Sequence, residues 1–420
     1  MKIKALKGFK DILPGEVELW QILENTARAV FEQYNFHEIR VPVLEETALF
    51  QRAIGDTTDI VEKEMYTFVD KQQTLRPEGT ASLLRSVIEN GLLVQKPVQR
   101  LFTIGPMFRH ERPQKGRLRQ FHQLDIEVLG SESPLLDTEL ISLAALLFSE
   151  LGINVSLELN SLGCPKCRPA YREALLAFIN ERKDKLCSDC QRRSETNPLR
   201  VLDCKVPEDR ELMADAPSIQ DWLCEDCAEH FNGVQQGLER LGIPYRLNKF
   251  MVRGLDYYCR TTFEFLTSDL GAQAAVAAGG RYDGLAELLG GPAGTPGIGF
   301  AMGMERIVLL MQQSGQDFQE FVEPLDIYIA GLGDKGQKEA SRLAWELRQD
   351  GFSVGLDYEG RSLKAQMKLA NRENASFVFI IGEDELTLGK GVLRNMRDRD
   401  AEQMELELKA EAFHFLDELL

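Results

Sequence analysis

Residues 108–130 read FRHERPQKGRLRQFHQLDIEVLG. The first half holds five cations within twelve residues, Arg109, Arg112, Lys115, Arg117 and Arg119, with Glu111 among them. The second half alternates polar and apolar side chains, and VQRLFTIG at 98–105 is also strand-like. Two such runs around one short polar stretch predict a long antiparallel hairpin tipped by an arginine-rich loop. Arginine forks bind phosphate bidentately and stay charged, so the loop suits a polyphosphate, a phosphodiester backbone, or both. Glu111 cannot bind phosphate; it suits an adenine amino group or a metal ion. A solvated surface loop is the plain alternative for this stretch taken alone.

The basic loop stands out because the chain carries 66 acidic against 49 basic side chains, a formal net charge of −17. Non-specific nucleic-acid affinity comes from phosphate neutralisation, so this balance argues against a general nucleic-acid coat protein. It leaves room for nucleic acid at local basic patches. A length of 420 residues predicts two or three domains. With 44% hydrophobic and 27% charged residues, the composition is that of a soluble globular protein. No run approaches the ~18–20 apolar residues of a membrane span. The start, MKIKALKGFKDILPGE, lacks the apolar segment of a secretory signal. A cytoplasmic location is therefore expected.

Outward from the hairpin, residues 16–34 have helical apolar spacing and FHEIRVPVL reads as a strand. Pro42 inside that strand suggests an edge or an interface, because proline cannot donate to a ladder. Residues 135–151 predict a helix and VSLELNSL a strand. From Cys164 the character changes: 168–240 is polar, mostly helical, and resembles an inserted domain, expected over about 168–250 of a first domain spanning 1–323. Strand patterns resume at 259–266 and 272–279. Pro324 marks the last boundary, with 324–420 forming a second domain. There LDIYIAGL, FSVGLDY and SFVFIIG alternate with helical segments, and Gly351 closes the first helix. Alternation with short loops implies βαβ crossovers and a mostly parallel sheet.

Three further constellations carry polar chemistry. In TLRPEGTASLLR (74–85), Glu78, Gly79 and Thr80 sit where a strand gives way to a helix. They suit helix capping or the holding of a substrate ammonium. RGLDYYCR (253–260) and AGGRYDGL (278–285) each join Arg, Gly, Asp and Tyr. GIGFAMGMERIVLLM (297–311) puts glycines and Arg306 before an apolar helix. The chain has no GxxxxGK[ST] and no GxGxxG in a βαβ context, so a nucleotide site here is neither a Walker nor a Rossmann site.

In this order the motifs resemble bacterial-type histidyl-tRNA synthetases, of the class II aminoacyl-tRNA synthetases. FRHERPQKGRLRQFHQLDIEVLG resembles their motif 2 and GIGFAMGMERIVLLM their motif 3. The segment around RVPVLE resembles motif 1, a dimer interface in that class, and RGLDYY and GGRYDGL resemble the two histidine signatures. GFKDILP and GRSLKAQMKLAN fit as well, so the likeness covers essentially the whole chain. The resemblance implies an α+β fold: an antiparallel class II catalytic sheet with a helical insertion, and a C-terminal α/β anticodon-binding domain.

It also implies the reaction. ATP and L-histidine form histidyl-adenylate with release of pyrophosphate, and a tRNA(His) 3′-terminal ribose hydroxyl then takes the histidyl group and releases AMP. Mg2+ and a homodimer are implied as well. Arg109 and Arg253 are the implied catalytic cations. Arg109, Glu111, Arg117, Phe121 and Arg306 would hold ATP. Glu78, Gly79, Thr80, Arg109, Gln123 and Arg253 would hold the histidine backbone groups, and Glu127, Tyr257, Tyr258 and Tyr282 its imidazole. The other cations of 112–119 would meet the tRNA acceptor end, and Arg361, Lys364, Lys368 and Arg372 are candidates for anticodon contact. The rival reading is the family's paralogue that serves as regulatory subunit of ATP phosphoribosyltransferase. That paralogue normally lacks the anticodon domain and has eroded catalytic signatures.

Of eight cysteines, six form the pairs CPKC, CSDC and CEDC. CPKC and CSDC lie 19 residues apart (168–186), a spacing that fits a four-cysteine zinc site. Cys224 and Cys227 could supply ligands instead of Cys164, Cys167, Cys187 or Cys190. Reduced free thiols are the ordinary cytoplasmic state, and no metal site is assigned from sequence.

Overall fold

The hairpin is built from two ten-residue strands, second and third from one edge of the largest sheet among the described residues. A computed structural model of the chain describes residues 3–55, 58–253, 255, 257–269, 275–314, 324–398 and 401–418. It divides into two compact units, Met1–Gln316 and Asp317–Leu420. In the first, the strands are β1 His37–Glu38, β2 Leu44–Glu46, β3 Tyr66–Phe68, β4 Gln73–Leu75, β5 Gln99–Phe108, β6 Gln120–Leu129, β7 Ser156–Ser161, β8 Tyr245–Leu247, β9 Cys259–Leu266, β10 Ala275–Arg281 and β11 Gly297–Gly303.

Eight of them form one sheet in the order β1-β5-β6-β11-β10-β9-β7-β8. Its interior pairings are antiparallel, and only the two edge pairs, β1–β5 and β7–β8, are parallel. The smaller sheet β2-β4-β3 sits apart. The strand expected over FHEIRVPVL is broken: β1 ends at Glu38, and the chain rejoins a sheet only at Leu44. Pro42 lies in the gap, where no ladder needs its missing N–H. The strand expected at 272–279 is described from Ala275 onward; its first three residues lie outside the described residues.

Strand β6 shows why the sheet makes a site. Alternate residues of a strand face opposite ways. Leu124, Ile126 and Val128 are fully buried on one face. Asp125 and Glu127 are also buried, at 1% and 2% exposure, on the other. One face of the strand therefore packs a core, and its opposite face carries buried polar groups.

The helix Pro134–Glu150 begins with Ser133 as N-cap, whose hydroxyl accepts from the Leu135 amide at 3.3 Å, and with proline at its first position. It carries one charge into the core, Asp137, which is 0% exposed. Arg281, equally buried, meets it with Nε and Nη2, both at 2.9 Å. Its Nη1 donates to Asp283 at 2.9 Å, and its Nη2 also donates to the carbonyl of Ser131 at 3.0 Å. The ring Nε2 of His230 lies 2.8 Å from the other oxygen of Asp137. The Arg and Asp of GGRYDGL are thus structural groups.

His230 belongs to the helix Glu225–Arg240, which packs against Pro134–Glu150. The segment 168–223 has its own apolar cluster, including Tyr171, Leu175, Ile179, Val201 and Met213. The chain then returns through this helix and β8 to the main sheet.

In the second unit, β12 Ile327–Gly331, β13 Val354–Leu356, β14 Phe377–Ile381, β15 Lys390–Asn395 and β16 Met404–Glu407 form a sheet ordered β13-β12-β14-β15-β16. The three strands of the βαβ alternation pair in parallel. β15 and β16 extend the sheet antiparallel, so it is mixed where a mostly parallel sheet was expected. KGVLRN carries no clear period-two pattern, and MELE alternates but over only four residues, a weak signal by itself.

Removing one partner of a buried ion pair leaves the other charge uncompensated, at a cost of about 3–5 kcal/mol. Asp137→Ala should therefore lower the stability of the first unit by that amount, measured by chemical denaturation. A loss below about 1 kcal/mol, the scale of exposed pairs, would mean that the pair is not the anchor described here.

Candidate active site

A cleft of about 310 Å³ opens on the polar face of the main sheet. It is lined by Glu78, Thr80, Arg109, Glu111, Arg117, Phe121, Gln123, Arg253, Tyr257, Tyr258 and Arg306, all of them expected site residues from separate motifs. Glu127 and Tyr282 do not line it; they form the layer behind. Gly79 lies beside it, with Asp125 packed where a side chain on Gly79 would have to go. Gly254 and Asp256 of RGLDYY lie outside the described residues.

One end of the cleft is cationic. The Arg109 guanidinium lies over the Phe121 ring at 5.3 Å and donates through Nε to the Pro77 carbonyl at 2.8 Å. Phe121 thus already carries one cation on its face. Arg117 pairs with Glu111 at 3.2 Å, and Arg306 donates to the Gly116 carbonyl at 3.4 Å and to that of Ala275. These contacts fold the tip of the basic loop onto the helix Met304–Gln313. Arg117 is half exposed in this pair, and pairs with so exposed a member contribute at most about 1 kcal/mol, so both side chains can exchange partners at little cost.

The other end collects acceptors. Glu78 takes the amides of Thr80 and Ala81 at 3.0 and 2.9 Å, which caps the helix Thr80–Glu89. Its capping and its place in the cleft therefore coexist, and burial raises its pKa against those hydrogen bonds. Glu127 receives hydroxyls from both Thr80 and Tyr282. Burial also holds it well above the usual carboxylate range. Gly299, opposite Glu127 in the β11–β6 register, makes room for it: a Cβ there would meet a Glu127 oxygen at 1.6 Å. This close approach explains one glycine of GIGFAMGMER.

Tyr257 and Tyr258 pack with tilted rings at 4.6 Å between centroids, and Tyr257 meets Tyr282 edge-on at 5.8 Å. Burial raises the pKa of all three phenols, so they stay neutral donors and acceptors. Arg253 lies 5.2 Å from the Tyr258 ring centre and pairs with Glu264 of β9.

Asp125 is the cleft residue that sequence reading passed over. It lines the cleft between Gln123 and Glu127 on one face of β6. Among the described residues, neither of its oxygens has a well-formed hydrogen bond, and Gln123 Oε1 likewise finds no partner. Burial, then the neighbouring Glu78 charge, raises the Asp125 pKa to about 8, against the pull of Arg76 and Arg109. The usable signal was the run Gln123, Asp125, Glu127: three polar residues at period two in a strand whose apolar face is complete. Glu264, which orients Arg253, had no such signal.

In chemical terms, the cleft offers separated guanidinium groups for a polyphosphate. It also offers a cluster of unpaired or shared acceptors for a cation, and hydroxyls for a small heterocycle. A family model described as "Histidyl-tRNA synthetase" matches residues 8–307, and one described as "Anticodon binding domain" matches 326–414. The histidine–tRNA ligase of Desulfotalea psychrophila is 65% identical over 98% of this chain and 95% of that protein. The one of Geobacter sulfurreducens is 57% identical over 94% and 95%. The apo S. aureus histidyl-tRNA synthetase structure superposes with a TM-score of 0.82 at 37% identity, covering 99% of this chain and all of that one.

The Asp125 pKa has a stability consequence. The folded value of about 8 exceeds the unfolded 3.8. Its burial is thus tolerated below about pH 4 and increasingly opposed as pH rises towards 8, because the unfolded state loses the proton first. Asp125→Asn should melt higher than the parent by a margin that widens from pH 5 to pH 8.5 in thermal scans. A constant or shrinking margin would contradict the raised pKa.

Proposed function

Because the chain belongs to the histidyl-tRNA synthetase family and catalyses ATP-dependent ligation of histidine to tRNA, we propose that the two ends of the cleft divide that reaction between them. The observation that carries this division is the single cleft joining Arg109, Arg117 and Arg306 to Glu78, Gln123 and Asp125. Phosphates and an α-ammonium need those opposite charges side by side.

The histidine carboxylate oxygen attacks the α-phosphorus; the bond to the β-phosphate oxygen breaks, and pyrophosphate leaves. The 3′-terminal ribose hydroxyl of the tRNA then attacks the acyl carbon, and AMP leaves. No covalent enzyme intermediate is required, so the residues work by placement and by fixed charge. Arg109 and Arg253 stabilise the α-phosphate and align the carboxylate. Glu264 holds Arg253 in place. Arg117 and Arg306 take the outer phosphates, Glu111 accepts from the adenine amino group once Arg117 turns to phosphate, and adenine covers Phe121. When bound with the phosphates, Mg2+ would supply positive charge to neutralise the departing pyrophosphate. Glu305, a carboxylate lining the same end as Arg306, suits its preference for oxygen ligands.

Glu78, Thr80, Gln123 and Asp125 receive the ammonium. Tyr258, Tyr257 and, through Tyr282, Glu127 read the imidazole, which when neutral presents one donor and one acceptor. A site whose buried polar groups need both partners rejects isosteres that lack them.

For tRNA, the helix Leu363–Arg372 exposes Lys364, Lys368 and Arg372. The 76% exposed Tyr358 offers a base-stacking surface just before it. Arg361 is tied to Asp357 and helps shape that turn. The exposed apolar side chains Val43, Leu44, Phe68 and Val69 around the β2-β4-β3 sheet suit a homodimer interface. Among the described residues no helix is long and apolar enough to cross a membrane; the proposed working compartment is the cytoplasm, on the ground that the reaction takes tRNA as its substrate. The anticodon-domain match and the near-full-length identity favour the ligase over the regulatory paralogue.

Glu127→Ala should raise the KM for histidine ~100-fold, the cost of stranding buried hydrogen-bond partners, and leave that for ATP within about twofold. ATP–pyrophosphate exchange measures both, and equal changes would remove Glu127 from imidazole recognition. In the same assay across the twenty amino acids, only histidine should support exchange.

A further inference from the structure

Seven of the eight cysteines converge on two points, and not in the combination that chain spacing suggests. Cys164 and Cys167 meet Cys224 and Cys227, while Cys187 and Cys190 meet Cys204 and Asp209. In each group every ligand atom lies within 4.8 Å of every other. We propose that the chain binds two structural zinc ions, one in each group.

The first group has the geometry of a four-thiolate site. Tetrahedral zinc with bonds of about 2.3 Å spaces its sulfurs about 3.8 Å apart. Here Cys164 Sγ lies 3.6 Å from that of Cys167 and 3.8 Å from that of Cys224. Disulfide pairing would bring sulfurs together in twos; four mutually close sulfurs are what one shared ion requires. Each pair is a Cys-x-x-Cys turn at the start of a helix, Arg168–Asn180 and Glu225–Arg240. The Cys224 amide also donates to Cys167 Sγ at 3.2 Å, an outer hydrogen bond that favours the thiolate form.

The second group rests on a separate observation. Asp209 is 1% exposed, and among the described residues no lysine or arginine forms an ion pair with it. Its carboxylate accepts the Cys187 amide at 3.0 Å and lies 3.2 Å from Cys204 Sγ, which is 3.9 Å from Cys187 Sγ. A buried carboxylate set among three sulfurs is poorly accommodated without a cation. Three thiolates and one carboxylate complete a closed tetrahedral set, as structural zinc sites require.

The first ion would close the segment 164–227 at its neck. Arg168, one residue past Cys167, donates to the carbonyls of Leu162 and Tyr258. The ion would therefore also steady one side of the proposed imidazole wall. This last point rests on the proposed histidine role of Tyr258; the metal sites do not.

The test is elemental analysis of the full-length, tag-free chain for zinc and iron. About 2 zinc per chain are expected; under ~0.2 overturns both sites, and iron in place of zinc overturns the choice of metal. Cys224→Ser and Cys204→Ser should each retain about 1 zinc, and a variant that keeps both ions removes its own site from the proposal. Should either variant fail to fold, a mercurial titration of the parent chain decides. Two zinc ions released as seven thiols are modified support the sites. Eight freely reactive thiols with no zinc release overturn them. Zinc-depleted protein that still folds should show a histidine KM raised severalfold with the ATP KM unchanged, and an unchanged histidine KM would remove the link to Tyr258.

Discussion

The fully buried ion pair between Arg281 and Asp137 is the constraint on which the first unit is arranged. Two charges withdrawn from water are tolerated only if every hydrogen-bonding position is filled. Here Asp137, Asp283 and the Ser131 carbonyl surround the guanidinium, and His230 completes the carboxylate. The pair ties β10 to the helix Pro134–Glu150, and His230 brings in the helix Glu225–Arg240. Its position also fixes Tyr282, the next residue along, which must face the other way. Tyr282 then meets Glu127, and the back wall of the cleft is set.

That wall depends on close approach as well as charge. Glu127 fits because Gly299 has no side chain, and its two oxygens are shared between Thr80 and Tyr282 on different elements. The same carboxylate thus joins the start of the helix Thr80–Glu89 to the end of β10. Structural and chemical roles are inseparable at such residues. Glu78 shows this again, because it caps the helix and lines the cleft with one carboxylate. Cationic and acidic ends lie side by side in one cleft, and at the buried acidic end charge is weakly screened.

Much of the site was legible in local sequence. Arg109, Glu111, Arg117, Gln123 and Glu127 fall within one hairpin, so period and turn chemistry were enough to put them together. Asp125 was overlooked because alternation marks only which face a residue occupies. Whether a carboxylate there finds a partner depends on strands that arrive later in the chain. The same limit applies to β15, whose residues carry no clear period and whose pairing is fixed by β14, and to β16, which adds on to β15.

The cysteines mark the boundary most sharply. Sequence by itself determined that Cys-x-x-Cys pairs are present, since that spacing is a property of one turn. It also determined the strand and helix periods, the basic loop and the order of the motifs, all of which are short-range. Only the tertiary structure decided that CPKC joins CEDC and that CSDC joins Cys204 and Asp209. It alone separated Arg281 and Asp283, as structural groups, from Tyr282. The physical reason is common to both: chain spacing sets which residues are neighbours along one element, whereas partners on different elements, here 17 to 144 residues apart, are chosen by how the elements pack, and a buried thiol or charge has to take the partner that packing supplies.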